Sequence, residues 1–198
     1  MASRLVNAII WGLNAMGIGL LVIDMQRHMT DRIASGRQRC NPLAEQHVAN
    51  LLALFRAKKL PVFHVWHRDP DPASEYRDGL KGADPMPCAL PVDGEEVFWK
   101  SSSSGFSRTG LDPAMRRKGV DKIVIVGAVA AYCVASTARA GSDLGFDIVL
   151  PGDALLGFDL VGHEGGRIDA ETALRVTLAT LGSDFATVVR SDQVAALV

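Results

Sequence analysis

Along the chain, short apolar runs alternate with longer stretches in which apolar residues recur every three or four positions. A strand covered on both faces loses the alternation of a half-exposed sheet and reads as a continuous apolar run. Six runs fit that description, over 18–23, 61–66, 96–99, 122–126, 147–150 and 186–189. The intervening stretches predict helices. Over 42–59, Leu43, His47, Leu51, Leu52 and Phe55 recur at helical spacing, with Asn41 as the N-cap before Pro42. Further helices are expected over 111–118, capped by Asp112 and stopped by Gly119, over 133–144, ended by Gly145, and over 169–181, ended by Gly182. Strands joined by helical crossovers build a parallel sheet. The predicted class is α/β, a three-layer, Rossmann-like arrangement of a six-stranded, mainly parallel sheet between helices.

Two connections are unusual. The stretch 68–93 is rich in proline and too long for a plain connection, so it is expected to fold over the sheet edge or into a partner subunit. Ser101 to Ser104, followed by Gly105, form a polar loop that serves equally as a linker or as a cover over substrate. At the N-terminus, Arg4 precedes an apolar run as in a secretion signal, but Asn7, Gly12 and Asn14 interrupt it and its far end is the first strand. Residues 1–17 are therefore read as an extension, with Met16 an alternative start, and 18–198 as one domain.

Composition narrows the function classes. With 48% hydrophobic and 22% charged residues, the chain matches an ordinary globular protein. Its 21 basic and 22 acidic residues leave a net charge of −1, too little to attract nucleic acid or an anionic membrane. A small-molecule substrate is the expected partner. Cys40, Cys88 and Cys133 cannot all pair within one chain and lack metal-ligand spacing, which favours a reducing, cytoplasmic setting.

In an open α/β sheet, ligands bind at the carboxyl ends of the strands. Three reactive side chains fall there: Asp24 after the first strand, Lys100 after the third, and Cys133 after the turn that follows the fourth. Singly, each has an ordinary reading as a cap, a solvated cation or a core thiol. Together they supply an acid–base group, a cation and a nucleophile. A thiol at a helix start, beside an ammonium, is expected to be stabilised as thiolate. The small residues Gly127 to Ala131 let the backbone approach a substrate and offer N–H groups to an oxyanion.

The segments LLVIDMQ, FWKSSSSGF, VIVGAVAAYCVASTARAGSDLGFDIVLPGDA and ETALRVTLATLGSDFATVV resemble, in order, the isochorismatase-like superfamily of cysteine hydrolases. The resemblance runs from about Gly19 to the C-terminus. It implies an isochorismatase-like sheet with helices on both faces and a catalytic triad of Asp24, Lys100 and Cys133. It also implies a cis peptide between Ala128 and Val129, an oxyanion hole from the backbone N–H groups of Val129 and Cys133, and a homo-oligomer, dimer or tetramer. Gln26 in LLVIDMQ, with Tyr132, Phe106 and Trp66, are the candidate substrate contacts, although the aromatics read equally well as core or interface. Two departures stand beside the nucleophile: Ala130 replaces a common threonine, and Tyr132 a smaller or different polar residue. Nicotinamidases of this superfamily bind a metal through Asp-x-His, but HVWHRD has Val65 in place of the aspartate and keeps only His67. No metal or other cofactor is expected.

The resulting expectation is hydrolysis of a C–N bond in a small amide, carbamoyl or ureido compound through a thioester. Vinyl ether hydrolysis, as in isochorismatase itself, is the enzyme alternative, though it needs a general acid more than a thiol. A non-catalytic oligomeric binding module is the other alternative; it predicts the loss of a triad member, and none is lost.

Overall fold

Strand β1 (Gly17–Ile23) lies inside the sheet, and its residues alternate between two separate cores. Leu20 and Val22 face one core, Leu21 and Ile23 the other, and all four are fully buried. Both faces being apolar, the strand reads in sequence as an unbroken run. This computed structural model describes residues 17–198 apart from Glu75 and Asp78. The expected extension over 1–17 thus lies outside the described residues, save Gly17.

From β1 the chain forms helices α1 (Arg27–Ala34) and α2 (Ala44–Ala57), then β2 (Val62–His67) and β3 (Glu96–Lys100). Helix α3 (Leu111–Arg117), β4 (Val120–Ala128), α4 (Ala135–Asp143) and β5 (Asp147–Pro151) follow. Short strands β6 (Leu155–Leu156), β7 (Leu160–Val161) and β8 (Arg167–Ile168) lead into α5 (Ala170–Asp184) and β9 (Thr187–Val189). The main sheet runs β3-β2-β1-β4-β5-β9 with β6 added beside β4, and every pairing in it is parallel. Strands β7 and β8 form a small antiparallel hairpin. Helix α2 buries Val48, Leu51, Leu52 and Phe55 in one core. Leu111 and Met115 of α3, Ala135 and Ala138 of α4, and Leu174 and Leu181 of α5 fill the other. Among the described residues, no helix is long and apolar enough to cross a membrane.

Helix ends depart from the expected caps for local reasons. Asn41 does not cap α2; at φ 49° its amide instead donates to Gly152 O and Leu155 O, both at 2.7 Å. Gly110, in the left-handed region, precedes α3, while Asp112 sits in the first turn and pairs with Arg116 at 3.2 Å. Asp169 caps α5 by accepting from Thr172 N at 2.9 Å, and the helix continues past Gly182 to Asp184. Before α4, residues Ala130–Val134 form a wide π-type turn, so the regular helix starts two residues after Cys133. The proline-rich stretch folds back on its own chain: Met86 N donates to Met25 O and Arg27 N to Asp84 O, both at 2.8 Å. It thereby roofs the end of β1 and the start of α1.

The close approach of β1 and β4 beneath the strand ends depends on Gly127. Its φ is 113°, and a Cβ there would lie 2.1 Å from Ile23 O. No rotamer change relieves a clash with backbone, so an L-residue at this position strains both strands. The Gly127→Ala variant is expected to lose roughly 2–4 kcal/mol of stability by urea denaturation.

Candidate active site

Neighbouring strands deliver the reactive side chains to one edge. Asp24 follows β1 in the left-handed region, φ 47°, with its N–H bonded to Val65 O of β2 at 2.8 Å. Lys100 ends β3 in register with His67, which ends β2. Cys133 sits in the turn after β4, the strand on the other side of β1. The Ala128–Val129 peptide that opens this turn is cis.

The Lys100 side chain is fully buried and Asp24 almost so. Lys100 Nζ lies 2.8 Å from Asp24 Oδ2, 3.2 Å from Cys133 Sγ and 3.2 Å from His67 Nδ1. An ammonium has three donors and no acceptor. Each donor thus has one partner, and His67 Nδ1 must accept, which places the ring proton on Nε2. Burial, then the Lys100 charge, holds His67 below its ordinary pKa, so the ring is neutral as this geometry requires.

Burial raises the Asp24 pKa above its ordinary 3.8, opposed by Lys100. The carboxylate is a stronger base for it. Asp24 Oδ1 is buried without a hydrogen-bond partner of standard geometry, although the Cys133 thiol is coupled to this carboxylate. Cys133 is pushed up to about 12 by burial and then by the Asp24 charge, which together outweigh Lys100. Lys100 does favour the thiolate, but burial and Asp24 outweigh it, so the sulfur holds its proton above the ordinary thiol range. An open acceptor beside a protonated thiol is the arrangement that base-assisted attack uses.

These groups open into a cavity of about 340 Å³, in the range for small ligands. Asp24, His67, Val129, Tyr132 and Cys133 line it, and Tyr132 stands 55% exposed. A larger depression, about 940 Å³, lies between 142–148 and 182–187, at the amino ends of β5 and β9, and is lined by none of Asp24, Lys100 and Cys133.

Three expected substrate contacts are corrected. Gln26 is fully buried and clamps backbone: its amide donates to His67 O and Ala83 O, and its oxygen accepts from His67 N. Trp66 points to the opposite face of β2 from His67 and packs on Trp99 at 5.1 Å. Phe106 stacks on Phe146 at 5.6 Å and belongs to the core. His64, on the Trp66 face, lies 2.9 Å from Glu95. Among the described residues, no group of three or more His, Cys, Asp or Glu is placed to hold a metal.

Sequence reasoning missed Thr137, Met29, Tyr76, Arg32 and Arg37. Thr137 is buried; its hydroxyl donates to Cys133 O at 2.7 Å and accepts from Gly105 N at 2.9 Å. Its signal was one helical turn of separation from Cys133. The other four line the cavity. Arg32 lies on α1, whose eight residues carry no side-chain cap that would have revealed the helix.

The model for the Isochorismatase domain matches residues 19–196. The chain belongs to the isochorismatase family. Another isochorismatase-family protein, the uncharacterised YrdC of Bacillus subtilis, is 30% identical over 174 residues, 88% of this chain and 92% of that one. An isochorismatase-family structure from Chromobacterium violaceum superposes with a TM-score of 0.86 at 33% identity, covering 93% and 94% of the two chains. The N-carbamoylsarcosine amidase of Thermoplasma acidophilum superposes with a TM-score of 0.70 at 27% identity, covering 89% and 98%. The family's parallel α/β fold is thus the fold of this chain, and hydrolase chemistry is the family's chemistry.

The charges around Cys133 predict its reactivity. Removing the Asp24 charge leaves Lys100 unopposed and lowers the thiol pKa, so Asp24→Asn should be alkylated by iodoacetamide faster at pH 8 than the unmodified protein. Lys100→Met should be slower. Peptide mass spectrometry at Cys133 reads both rates.

Proposed function

We propose that this isochorismatase-family hydrolase cleaves the C–N bond of a small amide, carbamoyl or ureido compound, with Cys133 as nucleophile. The supporting observation is the buried Lys100 ammonium, 2.8 Å from Asp24 and 3.2 Å from Cys133, two residues that line one cavity with Val129. Likeness to a named amidase of the same fold adds to it.

Asp24 takes the thiol proton as sulfur attacks the acyl carbon, so the negative charge passes from the carboxylate to the sulfur beside Lys100. That timing suits a thiol held near 12, because the ionised form appears only during attack. The carbonyl electrons move to oxygen, and the N–H groups of Val129 and Cys133 take the oxyanion. Collapse breaks the C–N bond, and the amine or ammonia leaves with the proton from Asp24. Water then attacks the thioester while Asp24 accepts its proton. The C–S bond breaks, the acid departs and Asp24 returns a proton to sulfur.

The test is ammonia release from a panel of small primary amides and ureido compounds. Cys133→Ala and Asp24→Asn are each expected to lower kcat by roughly 10³-fold or more. Full activity in Cys133→Ala would remove the nucleophile assignment. Because Asp24 must be ionised to act, kcat/KM falls as pH drops through its pKa. Burial moves that acid limb above the ordinary carboxylate value of 3.8.

A further inference from the structure

Two arginines face the same cavity as the nucleophile. Arg32, half-buried on α1, and Arg37, just beyond that helix, both line it. Their guanidinium carbons lie 5.8 and 5.7 Å from the centre of one ring, Phe158, itself 3% exposed. One buried ring thus lies within cation–π reach of both cations.

Their counter-charges are unequal. Arg37 Nε lies 3.3 Å from Asp159 Oδ1, and its Nη2 donates to Asp159 O at 2.8 Å. Asp159 also holds Arg167 Nε at 3.1 Å, so one carboxylate serves two guanidiniums. Among the described residues Arg32 has no carboxylate partner, and the hydrogen bond it makes to them runs from Nε to His28 Nε2 at 2.6 Å. Among the described residues, the other ionisable groups lining the cavity do not offset this charge. Asp24 is paired with Lys100, Cys133 is a neutral thiol, and His67 is neutral. A guanidinium stays charged at any pH the protein experiences and presents a planar fork that fits carboxylate. The cavity therefore pairs a nucleophile with a preformed anion-binding wall.

We propose that Arg32 and Arg37 form a carboxylate subsite and that the substrate is an amide or ureido acid, its carbonyl at Cys133 and its carboxylate on the arginines. The substrate class rests on the C–N hydrolase reading above. The subsite itself rests only on the charges and cavity.

The experiment compares succinamate, glutaramate and adipamate with the corresponding neutral diamides, using the full-length protein. Each compound is assayed for protection of Cys133 from iodoacetamide and, separately, for ammonia release. At least one acid should protect at about tenfold or lower concentration than its diamide, as for a charge-assisted hydrogen bond. Arg32→Met should bring acid and diamide to parity, with an unchanged circular dichroism spectrum showing that the variant is folded. Arg32→Lys should restore part of the preference, and Arg37→Met should weaken it. Equal protection by acids and diamides, no protection by any acid, or an Arg32→Met loss shared equally by both would overturn the subsite. Acid-selective protection without ammonia release would keep the subsite and reject C–N hydrolysis. Ammonia release with no preference for acids would do the reverse.

Discussion

A single buried ammonium organises the centre of this molecule. Lys100 brings three donors to a place without solvent, and Asp24, Cys133 and His67 each supply one acceptor from a different strand or turn. A charge so placed is costly unless every donor is used. The arrangement thus requires the ends of β1, β2, β3 and the turn after β4 to sit at fixed spacing, and the backbone devices nearby serve that end. Gln26 ties β2 to the loop carrying Ala83, and Gly127 lets β4 approach β1 more closely than a side chain would permit.

The electrostatics separate two roles that a catalytic cysteine could combine. Lys100 favours the thiolate, but burial and Asp24 oppose it and prevail in the resting protein. A protonated thiol beside a strengthened carboxylate base is less exposed to adventitious oxidation or alkylation than a standing thiolate. Nucleophilicity appears only when the proton has somewhere to go.

Much of this was legible in the chain itself. The strands of the sheet declared themselves because both faces of β1 are buried, and the same topology places Asp24, Lys100 and Cys133 at strand ends. Residues whose role depends on which face they occupy were not legible. Trp66 and His67 are adjacent, yet only one turns toward the cavity, and register with β3 decides which. Phe106 read equally well as substrate contact or core, and stacking on Phe146, distant in sequence, decides for the core. Arg32 and Arg37 were hidden among many surface-type arginines. Their meaning comes from Phe158 and Asp159, more than a hundred residues later in the chain.

Thr137 ties two parts of the protein together in a way that bears on motion. Its hydroxyl joins the Cys133 carbonyl to the Gly105 amide, so the serine loop and the turn carrying Cys133 hang from one pivot. The loop does not swing independently there: displacing Gly105 either breaks a buried hydrogen bond or pulls on the turn that aims the sulfur. A displacement of the four serines would thus stop at the pivot and leave the bearing of Cys133 unchanged.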